Sequence, residues 1–267
     1  MKQVWRAVYP CGIHFLISQV IANTALAVIL YWMGGTVEDF ASYTIFLTGI
    51  SALLTMLPCV YFYKKDRTAR VLGGLIPEKP GRKLTPGIVL LLLLLGAACS
   101  VFANILVAML QNILNVQAYQ ENMEQIMSGK SFFMLIFWMG IIAPVAEEMV
   151  FRWLIYLRLR DHMKMAAAAV ISGVFFGIYH MNLVQAVYAG ILGIVFAYIL
   201  ELTGNLWSSV LLHMGANIWS LVMPELLVRI PEENYVMVVL TMEAVLLVVF
   251  TVGVRHLKRN ASKTRMI

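Results

Sequence analysis

Long apolar runs broken by short polar connections set the plan of this chain. A membrane-spanning helix needs about 20 apolar residues. By that measure eight segments qualify: 8–33, 41–63, 86–111, 131–157, 165–182, 184–201, 205–224 and 236–254. The runs are apolar on every face, as in Ile88-Val-Leu-Leu-Leu-Leu-Leu-Leu95, whereas a helix of a soluble domain keeps a polar stripe. The pattern predicts an all-α, polytopic membrane protein of about eight transmembrane helices, a single transmembrane domain over residues 1–267. Only a tight turn near Met181-Asn182 parts the fifth helix from the sixth. The segment 112–130 alternates polar and apolar residues and predicts a short amphipathic helix along the membrane interface. Gly73-Gly74, Pro77, Pro80 and Gly81 mark 64–85 as a basic surface loop and not a second domain. No internal repeat is evident.

Composition agrees with the pattern. Hydrophobic residues make up 61% of the chain and charged residues 13%, against about 25% charged in a soluble domain. The net charge of +6 invites a nucleic-acid partner, but the bases fall in the connections and tails, where they report topology. With the N-terminus inside, 17 Lys and Arg fall on the cytoplasmic side and 2, Lys130 and Arg229, on the other. The inside group includes Lys2, Arg6, seven residues of 64–85, Arg158, Arg160, Lys164 and five residues of the C-terminal tail. Both termini are therefore expected in the cytoplasm of a multi-pass protein of a bacterial plasma membrane, with lipid and not nucleic acid as its surroundings. Lys2 and Arg6 before an apolar run, with Ala25-Leu-Ala27 after it, resemble a signal peptide. The run from Val8 to Met33 is too long for that, and we read it as a retained first helix. Cys11, Cys59 and Cys99 stand apart in apolar segments and are expected to be small buried side chains. The oligomeric state is not written in the sequence.

Against this background Glu147-Glu148 stands out, because an intramembrane acid is costly and marks a functional site by default. Glu148 and Arg152 are four apart, share a helix face and can neutralise one another. Glu147 lies about 100° around the helix and is free to point elsewhere, although both acids could simply satisfy Arg152. On the next helix, Ala169, Gly173 and Gly177 form a small-residue face for close helix packing, with His180 three residues beyond it. The seventh helix carries His213 and Asn217 on one face. His14, Asn104, Gln185 and Glu243 are expected to be helix–helix hydrogen-bond partners, and Glu201 to be interfacial. The methionines and aromatics are expected to be core filler and interface anchors.

Glu147-Glu148-x-x-x-Arg152, Phe176-x-x-x-His180 and His213-x-x-x-Asn217 come in this order on the fourth, fifth and seventh helices. They resemble the three motifs of the CPBP family, which contains the type II CAAX prenyl endopeptidases and bacteriocin-processing or self-immunity proteins. The resemblance covers about residues 131–220 and implies a glutamic-type intramembrane endopeptidase. By it, Glu147 and His180 activate a water, His213 and Asn217 form the oxyanion hole, and Glu148, Arg152 and Phe176 support the site. No cofactor is implied. Zinc held by the histidines and a carboxylate is a minority alternative, since there is no HExxH and Asn217 is a poor zinc ligand. A non-catalytic immunity or regulatory protein on the same scaffold is the second reading, and a transporter the third. A prenylated C-terminus, a peptide leader and a membrane-anchored protein all remain open as substrate. Distances along the helices favour a site in the cytoplasmic half or near mid-depth.

Overall fold

The computed structural model describes residues 2–76, 83–110, 113–114 and 116–260, with backbone alone for residues 2–4 and 38. Pro77, Lys79, Pro80, Gly81 and Arg82 of the basic connection, and Lys263 and Arg265 of the tail, lie outside the described residues. Ten helices follow one another, and no strand occurs among the described residues. They are α1 (Lys2–Ala27, prolonged by a wider turn, Val28–Trp32), α2 (Val37–Ser42), α3 (Thr44–Leu72), α4 (Pro86–Leu110) and α5 (Val116–Met127). The rest are α6 (Phe132–Arg160), α7 (Met165–Tyr179), α8 (Leu183–Thr203), α9 (Trp207–Leu227) and α10 (Glu232–Asn260). Seven are long and apolar enough to cross a membrane.

The fifth expected span, 165–182, is the shorter helix α7, which ends at Tyr179 with His180 as its C-cap. Its 15 residues rise only ~22 Å. Met181 then turns through a left-handed conformation (φ 54°), and the Asn182 side chain caps α8 by accepting from Gln185 N. The expected amphipathic segment is α5. The basic surface loop begins later than expected, because α3 continues to Leu72 and carries Lys64, Lys65, Arg67 and Arg70 in helix.

Helix α6 is the axis of the bundle. It packs against α1, α3, α7 and α9, and every residue from Met149 to Tyr156 is buried. This stretch and Ile136–Ile142 are wound more widely than an α-helix, so the Leu157 N–H reaches back to Arg152 O. Two close helix contacts brace the bundle. A Cβ on Gly177 would lie 2.3 Å from Ala186 O and one on Gly173 2.6 Å from Gly190 O, so only glycine lets α7 lie this close to α8. Gly96 and Gly215 do the same for α4 and α9, where added Cβ atoms would sit 2.0 Å from Leu212 O and 2.1 Å from Leu93 O. Helices α1 and α10 are peripheral and present apolar side chains such as Leu16, Val20, Leu240 and Leu247 outward.

The end of the bundle that carries the basic residues is tied together by ion pairs. Buried Asp66 accepts from Arg6 and from Arg158, which also donates to Arg6 O and Tyr9 Oη. Arg70 donates to both oxygens of Asp161 at 2.8–3.0 Å. Arg160 and Tyr156 each donate to Glu201 at 2.6 Å. Several bases expected as loop charges are thus clamps between helices. The three cysteines are free, with Cys59 and Cys99 buried.

Candidate active site

The buried Glu148 and Arg152 form the floor of the site. Both are fully shielded, and Arg152 Nη1 lies 2.9 Å from Glu148 Oε1. The guanidinium rests on the faces of Phe176, 4.4 Å from the ring centroid, and Phe196, at 5.3 Å, an arrangement that stabilises a desolvated cation. Gly193 makes room for it, since a Cβ there would stand 2.6 Å from Arg152 Nη2. Phe176 also meets the rings of His180 and His213 edge-on, at 4.8 and 5.6 Å. The aromatic of the second motif therefore touches a residue of each motif.

Glu148 has a second partner, His213, whose Nδ1 lies 3.1 Å from Oε1. An ionised carboxylate only accepts, so Nδ1 carries the proton there. The other face of the ring turns Nε2 to Glu147 Oε2 at 3.7 Å. Glu147 is not part of the Arg152 pair: its side chain is 20% exposed and lines a cavity of about 580 Å³. His180, His213 and Asn217 line the same cavity. His180 Nδ1 is 2.8 Å from Phe176 O. A carbonyl also only accepts, so Nδ1–H donates and the neutral ring keeps a free lone pair on Nε2. Asn217 Nδ2 donates to Met139 O at 2.9 Å, which fixes the amide plane and leaves a second N–H.

The structure thus brings Glu147, His180, His213 and Asn217 to one cavity from α6, the end of α7, and α9. The partner nearest to Glu147 is His213, where His180 was expected. Glu147 and Asn217 stand near the middle of Phe132–Arg160 and Trp207–Leu227. The lining runs through Thr44 and Thr48 at the start of α3, Asn104 and Val107 at the end of α4, and Ser220 and Leu221 on α9. The cavity therefore runs from mid-helix to the end of the bundle away from the basic one, with α5 as its roof. Val116 is buried under α5, and Tyr119, Met123 and Ile126 follow it on the inward face. The Tyr119 and Tyr188 hydroxyls share a hydrogen bond of 3.0 Å. Burial pushes the Tyr119 phenol above its ordinary value, so it stays protonated at neutral pH.

Sequence reasoning missed part of the lining. Asn104 and Gln185, expected to be helix–helix partners, face the cavity, as does Tyr188, taken among the aromatics as filler. His14 is a helix–helix partner as expected, 2.8 Å from Thr55 Oγ1. The only available signal for Gln185 and Tyr188 is their place one to three turns after His180, and such spacing also fits a plain packing face. Among the described residues, no three His, Cys, Asp or Glu side chains gather at metal-ligating spacing.

Residues 129–219 match the family described as Type II CAAX prenyl endopeptidase Rce1-like. A protein of Bacillus subtilis (strain 168) named "Putative membrane peptidase YdiL" is 30% identical over 84 residues, 32% of this chain and 34% of that protein. The matched stretch thus spans about a third of the relative's length. No solved structure matches the chain.

Proposed function

From the place of residues 129–219 within the CPBP family of membrane peptidases, we propose that this chain is an intramembrane endopeptidase of the glutamic type. One observation supports this above the others: Glu147, His180, His213 and Asn217 line a single cavity, although they are spread over 70 positions of the chain. In the proposed reaction a water sits between the Glu147 carboxylate and His180 Nε2. These groups take its proton as its oxygen attacks the peptide carbonyl carbon. The tetrahedral oxyanion receives the second Asn217 N–H. It also receives His213 Nε2–H when that ring, flanked by Glu148 and Glu147, is doubly protonated. The proton taken from water passes to the leaving amine as the C–N bond breaks. Positioned bases contribute about 10²–10⁴-fold and each fixed oxyanion donor roughly 3–4 kcal/mol.

The proposed chemistry uses no metal, so chelators should leave turnover unchanged. Loss of activity on chelation, restored by zinc, would rule the scheme out. The decisive experiment is cleavage of a peptide library by purified protein in liposomes, comparing wild type with Glu147→Gln. Turnover should fall by about 10²–10⁴-fold at unchanged melting temperature. Near-wild-type cleavage by Glu147→Gln would overturn the reading.

A further inference from the structure

We infer that the cavity takes a peptide whose flanks are cationic and receives it from the acidic end of the bundle, opposite the basic one. This rests on the peptidase reading of the site. The two ends of the molecule carry opposite charge. At the end where the ion-pair clamps lie, Lys64, Lys65, Arg67, Lys258 and Arg259 accompany Arg6 and Arg158. At the cavity end stand Asp39, Glu121, Glu124, Glu225, Glu232 and Glu233, against Lys130 and Arg229.

One of these acids borders the cavity through its own helix face. Glu121 and Glu124 are exposed on the side of the roof helix α5 turned away from the lining residues Tyr119, Met123 and Ile126, and contribute only to the charge of that end. Glu225 stands one turn beyond the lining residue Leu221 on α9. Inside, the described lining includes Glu147 and no lysine or arginine. A segment bearing an α-carboxylate or acidic side chains would meet repulsion from Glu225 at the rim and from Glu147 inside. A lysine- or arginine-rich flank would be drawn to the rim while its apolar scissile stretch enters between Trp138, Met123 and Phe196, which line the same cavity. Clefts of one sign raise the local concentration of oppositely charged ligand by factors of roughly ten or more. By the charge rule for loops, the basic end faces the cytoplasm, and the peptide then comes from outside the cell.

The test uses full-length protein and two readouts. In the first, Glu147→Gln protein in detergent is titrated with fluorescent peptides that share an apolar core and differ in lysine or glutamate flanks. The lysine-flanked peptide should bind about tenfold tighter or more, and the gap should close towards 1 M salt, where the Debye length is ~3 Å. Adding Glu225→Gln should weaken it about two- to threefold at unchanged melting temperature. Equal binding of both peptides, or tighter binding of the glutamate-flanked one, would overturn the inference. The second readout adds a quenched, membrane-impermeant lysine-flanked peptide to intact spheroplasts and to inside-out vesicles. Cleavage by the spheroplasts supports the outside route; cleavage confined to inside-out vesicles overturns it. Selective, salt-sensitive binding with no cleavage on either side would support the charge preference while refuting the peptidase reading.

Discussion

Arg152 shows how a single side chain can organise a site without lining its cavity. It is fully buried, balanced by Glu148 and seated on two aromatic faces. Glu148 in turn holds the His213 ring. Removing one member of a buried pair costs about 3–5 kcal/mol, because the other charge is stranded. Glu148→Ala and Arg152→Ala should therefore lower the melting temperature together with activity, unlike Glu147→Gln. A Glu148→Gln protein that lost all turnover at an unchanged melting temperature would instead make Glu148 the base. Gly193→Ala is a finer probe, since its Cβ would press on Arg152 Nη2 at 2.6 Å. It should destabilise the protein and reduce turnover, whereas Gly190→Ala, whose Cβ would find ordinary contact at 3.5 Å, should do neither. Thermal melts and peptide cleavage on the two variants settle the comparison. The Glu148–Arg152 pair could be read from spacing alone, because residues four apart share a helix face. Gly193 could not, because the partner that demands it lies 41 positions away in the chain.

The helices place these groups, and their ends matter more than their middles. The α7–α8 turn carries His180, and Met181 holds a left-handed backbone there, a conformation that costs an L-residue about 1–2 kcal/mol. Met181→Gly should leave the melting temperature unchanged or slightly higher, while β-branched Met181→Val should lower it. Differential scanning fluorimetry would distinguish them, and a stabilised valine variant would disprove the strain. Apolar runs located every spanning helix, since lipid imposes one simple rule on composition. They could not give the length of α7 or the continuation of α3 to Leu72. The first depends on the strained turn at Met181. The second depends on Asp66 and Asp161, acids that accept from Arg158 and Arg70 across the bundle. Pairing of this kind hides charge that composition counts as loop.

Taken as one body, the molecule separates a clamped basic end from an acidic end that opens into the cavity. If the basic end is cytoplasmic, single cysteines replacing Lys65 and Arg259 in a cysteine-free background should label only after permeabilisation. One replacing Glu124 should label in intact cells. The reverse pattern would invert the topology. Asp66 is unsuitable for such a probe, because it is buried in the clamp. The count of Lys and Arg, 17 against 2, made the basic end visible in the sequence. The position of the cavity was not visible, because it depends on where α5 folds back and on which ends of α3, α4 and α9 it meets. The short helix α7 carries a further consequence for the surrounding lipid. Val170, Val174 and Ile178 form an exposed apolar stripe along it, and Met181 and Leu183 continue that surface at the turn. A helix of ~22 Å facing a hydrocarbon layer of about 30 Å leaves a hydrophobic mismatch, which a bilayer accommodates by thinning locally. The membrane should therefore be dimpled beside His180, drawing headgroups and water towards the cavity of the proposed hydrolysis. Lipids with shorter acyl chains would fit that dimple without deformation, so bilayer thickness becomes a control on turnover that no side chain supplies.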